Sequence, residues 1–329
     1  MKTLITGGGG FLGRFVARRL KKAGYDVTVL GRSKYLFLEE EGFSTIQADI
    51  SDKEKLFTVF KGFDEVHHVA SLAGISVNRK PFYKINVEGT QNVIEACLFN
   101  GIKKLIYTSS PSVVYQAEDL IMADEDYAYP ESFLSCYAET KALAEKMVLE
   151  ANGKDLLTVS LRPHLIWGPE DTNLIPRLIK RASRGRFFIV GSGLNEVDVT
   201  YVENVALAHL LASQKLIKGS SVCGQAYFIT NDEPIKLWEF VNKILEGASF
   251  QPVSRKIPFK KMYWLGYVLE KLYALLKIDK EPMMTRFLAS QLAYTHTYSI
   301  EKAKKDLGYK PEISVDEGLK RLISYLTAI

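Results

Sequence analysis

A tyrosine and a lysine four positions apart, Tyr137 and Lys141, are candidates for proton transfer. On a helix this spacing places both side chains on one face. The hydroxyl of Tyr137 can protonate a carbonyl oxygen, but a pKa of about 10, the usual value for tyrosine, is too high for easy exchange of that proton. A nearby ammonium favours the phenolate, so Lys141 is expected to lower this pKa. The pair therefore predicts a general acid that acts on a ketone.

The surroundings of Tyr137 distinguish it from other tyrosines that precede a lysine by four positions. Tyr267, Tyr273 and Tyr298 show the same spacing, and we interpret those three as chance matches. Tyr137 alone follows a serine-containing turn, with Ser110 lying 27 residues before it. This context favours Tyr137 as the reactive tyrosine.

Ser110 is the predicted partner of Tyr137 because it lies just past a strand-like run, Lys104–Ser109. Functional side chains of parallel sheets gather at the carboxyl ends of the strands, where a hydroxyl can donate a hydrogen bond to a substrate carbonyl. Ser109 and Ser112 are alternatives for this role, and at least one of the serines is expected only to cap the turn.

Three glycines, Gly7, Gly10 and Gly13, lie between the first strand and the first helix. Glycine permits a tight turn and a close approach of the backbone to a pyrophosphate, whose charge then lies at the positive end of the helix. A glycine-rich surface turn is the simpler explanation of such a cluster. Its position between strand and helix favours dinucleotide binding instead.

The end of the second strand indicates which dinucleotide is bound. An NAD-binding chain usually has a carboxylate there, whereas this chain has Arg32, Ser33 and Lys34. A guanidinium can hold a 2′-phosphate through two hydrogen bonds, so the sequence favours NADP(H) over NAD(H). Lys34 is equally well explained as part of an exposed basic turn.

Strand-like runs alternate with helical patterns through the first half of the chain, which predicts an α/β fold with a doubly wound, parallel Rossmann sheet. We expect residues 1–169 to form the NADP-binding domain, with residues 197–231 returning to its sheet. Residues 170–196 and 232–329 are expected to form a smaller, mostly helical substrate-binding subdomain. The predicted strands are Lys2–Thr6, Asp26–Leu30, Thr45–Ala48, Glu65–Ala70, Lys104–Ser109, Thr158–Leu161 and Tyr227–Thr230, and the predicted helices are Phe11–Ala23, Tyr83–Asn100 and Tyr137–Glu150.

The composition narrows the class of protein. The chain has 329 residues, of which 47% are hydrophobic and 25% charged, as in folded globular proteins. Its net charge of +5 is spread along the chain rather than gathered in a stripe, so no nucleic-acid partner is expected. Three scattered cysteines show no metal-ligand spacing and are typical of a reducing compartment, which predicts a cytoplasmic protein without a metal.

One C-terminal segment, residues 262–278, is apolar almost all round. A helix of this kind is expected to bury itself against another surface. Packing within the subdomain or a homodimer contact is one interpretation, and an acyl-chain pocket wall, a membrane surface or a partner enzyme is the other. The segment is too short and too charged to be expected to span a bilayer.

The glycine loop together with Ser110, Tyr137 and Lys141 resembles the extended short-chain dehydrogenase/reductase family, and the resemblance covers essentially the whole chain. Other motifs of that family are Arg162-Pro163, Trp167-Gly168-Pro169, Tyr201–Ala206 and Lys305–Tyr309. Tyr227–Thr230 and Val199–Leu211 resemble its 3β-hydroxysteroid and sterol-carboxylate dehydrogenase branch.

Within this branch, three segments resemble a bacterial group of reductases that act on 2-alkyl-3-oxoalkanoates in the biosynthesis of olefins. These segments are Tyr107–Val114, Thr140–Glu145 and Arg162–Pro169. The resemblance implies reversible, NADPH-linked reduction of a long-chain β-keto acid to the β-hydroxy acid, hence a large apolar small-molecule substrate. Members of the group often carry threonine where this chain has Ser110, but either hydroxyl can donate.

The resemblance also implies roles for single residues. Ser110 and Tyr137 would polarise the ketone, while Lys141 would hold the nicotinamide ribose. His164 would border the nicotinamide or meet the substrate carboxylate, although a lone histidine is more often structural. The implied cofactor contacts are Gly7, Gly10, Phe11, Leu12, Gly13, Arg32, Ser33, Asp49, Ile50, Ala70, Tyr137, Lys141, Pro163, His164 and Leu165.

Two other functions compete with this prediction. A 3β-hydroxysteroid or sterol-4α-carboxylate 3-dehydrogenase would need a similar apolar pocket. A non-catalytic protein that senses NADP(H) could use the same fold, but such a protein can lose the tyrosine and lysine that this chain keeps.

Overall fold

A seven-stranded parallel sheet forms the centre of the computed structural model, which describes residues 1–185 and 187–328. Residues 186 and 329, both inside the predicted substrate subdomain, lie outside the described residues. The strands of the described chain are β1 (Lys2–Thr6), β2 (Asp26–Gly31), β3 (Ser44–Gln47), β4 (Glu65–His68), β5 (Lys104–Thr108), β6 (Leu120–Ala123), β7 (Leu157–Pro163), β8 (Ile166–Trp167), β9 (Ile189–Val190), β10 (Glu196–Val197), β11 (Thr200–Tyr201), β12 (Gln225–Ile229), β13 (Ile235–Lys236), β14 (Lys256–Ile257) and β15 (His296–Tyr298).

Helices cover both faces of this sheet and build most of the C-terminal part. They are α1 (Phe11–Lys22), α2 (Leu36–Glu40), α3 (Lys53–Val59), α4 (Arg79–Phe82), α5 (Gly89–Phe99), α6 (Cys136–Glu150), α7 (Leu174–Ser183), α8 (Val202–Lys215), α9 (Leu237–Gly247), α10 (Phe259–Leu275), α11 (Arg286–Ala293), α12 (Glu301–Leu307) and α13 (Val315–Ala328). A π-helical segment, Tyr83–Glu88, joins α4 to α5.

The main sheet has the order β12-β7-β5-β4-β1-β2-β3, so the chain winds outward in both directions from β1 and β4. This order is the doubly wound Rossmann arrangement, which confirms the predicted fold class. The direction of winding reverses between β1 and β4, and ligands bind in the crevice outside the carboxyl ends of the strands at such a point.

The predicted return of residues 197–231 to the sheet is correct only for β12, which pairs with β7 at one edge. β10 belongs to a separate sheet with β13, β15 and β6, and β11 pairs with β8. The stretch between β11 and β12 forms α8, whose apolar face packs on α1 in one core cluster. This part of the predicted return to the sheet is therefore a largely buried helix and not a strand.

A second core cluster lies away from the main sheet, around Trp167, Trp238, Phe240 and Met262. Residues of α7, α9 and α13 contribute to it, and it fits the proposal that residues 170–196 and 232–329 form a subdomain. Between the two parts of this proposed subdomain, β14 pairs with β9 in a small parallel sheet.

Helix α10 is buried much less than the sequence pattern predicts. Met262 and Gly266 are its buried residues, and Gly266 packs against the backbone of α11. Trp264 is 65% exposed and Leu275 is 79% exposed. Packing within the subdomain therefore covers only one side of the helix. No helix of the described chain, α10 included, combines the length and apolar character needed to cross a membrane.

Candidate active site

The glycine loop lies at the switch point of the sheet, between β1 and the first turn of α1. Gly7 has a φ of +70°, and a Cβ atom added there would lie 2.7 Å from the backbone of Ala70 at the end of β4. A Cβ atom on Gly13 would lie 2.3 Å from the carbonyl oxygen of Gly7. Only glycine fits both positions, so the backbone N–H groups at the start of α1 stay open to an anionic ligand.

A cleft of about 680 Å³ extends from this loop along the carboxyl ends of the strands. Its lining matches what a dinucleotide needs, since it combines the glycine loop, the ends of β2 and β3, and the turn after β5. The predicted cofactor residues that line the cleft are Gly7, Gly10, Phe11, Leu12, Gly13, Arg32, Asp49, Ile50, Ala70, Tyr137, Pro163 and Leu165. Ser33, Lys141 and His164 do not line it.

Ser110 and Tyr137 line the same cleft as Arg32, but Ser110 follows β5 and Arg32 follows β2, with β4 and β1 between these strands. Ser110 follows β5 and caps a short 3₁₀ turn by accepting the backbone N–H of Ser112. Tyr137 lies in the first turn of α6, where the Ser135 hydroxyl accepts its backbone N–H. The two caps hold residues that are 27 positions apart in the sequence, and both residues line the cleft.

The alternatives to Ser110 differ in their placement. Ser112 is buried and donates its hydroxyl to Ser110 over 2.9 Å, so it supports Ser110 from behind. Ser109 lines the cleft, and within the described chain its buried hydroxyl has no hydrogen-bond partner. Ser110 and Ser109 therefore face the space in which a substrate would lie, while Ser112 does not.

The pKa of Tyr137 is raised, because burial outweighs the opposing effect of a side-chain hydrogen bond with Ser110. A raised pKa keeps the phenol protonated at neutral pH, which is the state a proton donor requires.

Lys141 lies one helical turn after Tyr137 and beneath the wall of the cleft. Its ammonium donates to the carbonyl oxygen of Thr108 and lies 4.1 Å from the centre of the Tyr107 ring. Burial lowers the pKa of Lys141 to about 7, although the Glu145 carboxylate on the next turn opposes this shift. The ammonium is thus held by the backbone of β5. The expected lowering of the Tyr137 pKa by Lys141 is not found, because burial and Ser110 determine that pKa.

The side chain of His164 points away from the cleft, contrary to both predicted roles. Its Nε2 lies 2.7 Å from Nδ1 of His296, and its ring packs against Tyr298. Pro163 and Leu165 line the cleft, while His164 between them is buried in the core; the chain turns here, since β7 ends at Pro163 and Leu165 has a φ of +41°. His164 is therefore a buried structural histidine that joins β7 to β15.

Several lining residues carried no recognisable signal in the sequence. The ring of Tyr35 lies across Gly9 and Gly31, where an added Cβ atom would come within 2.4 Å of it. Asp171 caps α7 through three backbone N–H groups, and Arg177 reaches the cleft from the same helix. An acidic residue after Gly168-Pro169 is a usual helix start, but nothing in its spacing places that helix over the cleft.

This fold and this cleft define an NAD(P)-dependent oxidoreductase of the extended short-chain dehydrogenase/reductase class. The 3-beta hydroxysteroid dehydrogenase/isomerase family model matches residues 4–259, and the chain belongs to that family.

Two curated relatives match nearly the whole chain. A 2-alkyl-3-oxoalkanoate reductase of Stenotrophomonas maltophilia is 45% identical over 98% of each chain. A sterol-4-alpha-carboxylate 3-dehydrogenase (decarboxylating) of Mus musculus is 38% identical over 98% of this chain and 90% of the mouse protein. Among solved structures, MoeE5 in complex with UDP-glucose and NAD superposes with a TM-score of 0.77 at 24% identity, covering 100% of this chain and 99% of that one, and this likeness concerns the fold alone.

Proposed function

We propose that the chain reduces the 3-keto group of a 2-alkyl-3-oxoalkanoate to the 3-hydroxy group with NADPH. The observation that carries this proposal is the presence of Ser110 and Tyr137 on one wall of a cleft that continues to the glycine loop. A donor pair at one end and a pyrophosphate cradle at the other are what a carbonyl reductase needs.

The residues of the chain supply the polar part of the reaction. NADPH, when bound along the glycine loop, supplies the hydride. Ser110 accepts two hydrogen bonds from Ser112, so it can donate its own proton to Tyr137 in the free protein and to the ketone oxygen once the substrate is bound. Tyr137 then transfers its proton to that oxygen, which becomes the hydroxyl of the product. The positive charge of Lys141 stabilises the phenolate left on Tyr137.

The substrate class is proposed from the relatives. The names of both relatives describe a carboxylate on the carbon next to the one that bears the reacting oxygen. The higher identity to the oxoalkanoate reductase favours a β-keto acid with long alkyl chains. A sterol-4α-carboxylate is the second candidate, because the mouse relative also matches almost the full length.

NADPH is proposed over NADH because of the charge at the end of β2. Arg32 lines the cleft and is exposed, whereas no acidic residue lies at that strand end. A 2′-phosphate would be attracted by this guanidinium.

The exposed face of α10 is proposed as the surface that contacts a second copy of the chain, a membrane or a partner enzyme. Sedimentation of the protein alone and with lipid vesicles would distinguish the first two. A cytoplasmic location is likewise proposed, in keeping with Cys97, Cys136 and Cys223 being free thiols.

The test is oxidation of a 2-alkyl-3-hydroxy acid by the purified chain with NADP⁺, compared with oxidation of a 3β-hydroxysteroid and of its 4α-carboxylate. Turnover of the hydroxy acid is expected. Turnover of the steroids alone would reject the proposed substrate. Failure of both NADP(H) and NAD(H) to bind would reject the proposed reaction altogether.

A further inference from the structure

Two cations line the cleft in the described part of the chain, Arg32 and Arg177. Arg32 lies at the end of β2, where the adenosine part of the cofactor is proposed to bind. Arg177 projects from α7, and Asn173 and Leu174 at the start of this helix also line the cleft. Lys141 is buried beneath the wall and donates to Thr108. The substrate is proposed above to carry a carboxylate. Because Arg32 is assigned to the cofactor, Arg177 is the remaining cation in the described lining of the cleft that can bind this carboxylate.

Arg177 lines the cleft and is linked through Glu281 to the loop after β4. Its guanidinium pairs with Glu281 over 3.1 Å, and Glu281 accepts the backbone N–H of Ile75 over 3.0 Å. Ile75 follows the loop after β4 that lines the cleft, and two residues further on Val77 accepts from the thiol of Cys136, the neighbour of Tyr137. Glu281 therefore links Arg177 to the segment 75–77, which contacts the start of α6, the helix that carries the proposed proton donor.

Gly74 shows how closely Glu281 approaches this loop. A Cβ atom added to Gly74 would lie 2.3 Å from Oε1 of Glu281. The carboxylate thus occupies a space that only a glycine leaves open, at the edge of the cleft and in reach of Arg177.

The pairing of Arg177 with Glu281 is weak enough to be exchanged. The two side chains are 49% and 37% exposed, and ion pairs with such exposure contribute little to stability. Arg181, one turn further along α7, donates to the carbonyl oxygen of Met283 and is near enough to Glu281 for its pKa to feel that charge, so two guanidiniums face one carboxylate charge. Asp171 also lines the cleft, but three backbone N–H groups at the start of α7 engage it.

We propose that Arg177 binds the carboxylate of the substrate and that Glu281 occupies its place in the free protein. The carboxylate of the substrate then replaces the Glu281 carboxylate on the Arg177 guanidinium. A planar guanidinium can hold it through two hydrogen bonds, which fixes the orientation of the neighbouring ketone towards Ser110 and Tyr137. Arg177 thereby determines the preference for a β-keto acid over a neutral ketone.

The first test compares the 2-alkyl-3-hydroxy acid with its methyl ester, which lacks the charge. Arg177→Gln is expected to raise KM for the acid about tenfold or more and to leave KM for the ester unchanged. Glu281→Gln is expected to lower KM for the acid a few-fold, because it removes the competing carboxylate. Lys180→Gln is the matched control, since Lys180 lies on the same helix, is exposed and does not line the cleft.

Each result of this comparison decides the proposal. An equal rise in KM for acid and ester in Arg177→Gln would mean that the arginine only supports the structure. An unchanged KM for the acid would exclude it as the anchor. A higher KM for the acid in Glu281→Gln would mean that Glu281 helps to bind the substrate and does not compete with its carboxylate for Arg177.

A second test needs no turnover and separates this proposal from the proposed function. The NADP⁺ complex is titrated calorimetrically with a 2-alkylalkanoic acid, which has the carboxylate but no 3-oxygen. Binding that weakens about tenfold in Arg177→Gln supports the anchor, and equal binding to both proteins overturns it. Binding that depends on Arg177, without oxidation of the hydroxy acid by the unaltered enzyme, would reject the proposed reaction and keep the anchor.

Discussion

Ser112 donates two hydrogen bonds to the hydroxyl of Ser110, one from its backbone N–H over 3.2 Å and one from its own hydroxyl over 2.9 Å. A serine hydroxyl has two acceptor sites and one proton. With both acceptor sites used by the turn, the proton of Ser110 is left for a third group. In the free protein that group is the hydroxyl of Tyr137, and we propose that a ketone oxygen bound in the cleft replaces it.

The two serines should therefore differ in their effect on catalysis. Ser110→Ala is expected to lower kcat by about 10²-fold or more, because it removes a donor to the developing oxyanion. Ser112→Ala should lower kcat about tenfold or less, because it removes one of the two hydrogen bonds that orient Ser110 and keeps the backbone N–H that makes the other. Steady-state rates at saturating NADPH check this, with the Kd of NADPH as the control. A loss from Ser112→Ala as large as that from Ser110→Ala would contradict the assignment.

Tyr137→Phe should bind NADPH normally and lose turnover by about 10²-fold or more, because the proton donor is removed while the ring is kept. Tyr267→Phe is a matched control, since Tyr267 also precedes a lysine by four positions but lies on the exposed side of α10. Fluorescence titration with NADPH and single-turnover rates measure the two properties. Unchanged turnover in Tyr137→Phe would remove Tyr137 from the mechanism.

The preference for NADPH should depend on Arg32. Arg32→Ala is expected to lower kcat/KM for NADPH about tenfold or more and to change kcat/KM for NADH little, because only NADPH carries the 2′-phosphate. Lys34→Ala is the control, since Lys34 is equally exposed but does not line the cleft. The ratio of the two kcat/KM values is the readout. An equal decrease with both cofactors would argue against a contact between Arg32 and the phosphate.

Much of the fold follows from local patterns in the sequence. Apolar runs predicted each strand of the main sheet to within a few residues, because strands buried on both faces read as near-continuous hydrophobic stretches. The glycine loop was equally recognisable, since its spacing is fixed by a steric requirement of the backbone at Gly7 and Gly13.

Other features depend on contacts between residues distant in sequence. The predicted helix over Tyr83–Asn100 contains a π-helical segment, and there Asn86 bonds the backbone of Leu72 and the hydroxyl of Thr140. The His164 side chain lies in the core because it forms a hydrogen bond with His296, which follows 132 residues later in the sequence. No local spacing encodes such pairs, which is why the cofactor role predicted for the His164 side chain was wrong and Arg177 was missed.

Lys141 gives a prediction that needs no catalytic assay. Its pKa is about 7 in the folded protein, against an ordinary value of 10.5 that the unfolded chain should show. Between these values the unfolded chain binds more protons, so the free energy of unfolding should increase with pH from about pH 7 upwards. Below pH 7 Lys141 is protonated in both the folded and the unfolded protein, so the free energy of unfolding is lowered by the full cost of burying the charge.

Lys141→Met keeps the volume of the side chain and removes the titration. The unfolding free energy of the cofactor-free wild type, taken relative to this variant, should therefore rise between about pH 7 and pH 9 by on the order of 1 kcal/mol per pH unit. Urea unfolding at several pH values measures both proteins, and other titrating groups cancel in the difference. Parallel pH profiles would mean that the Lys141 ammonium stays charged in the core, held by Thr108 and the ring of Tyr107 more strongly than its burial implies.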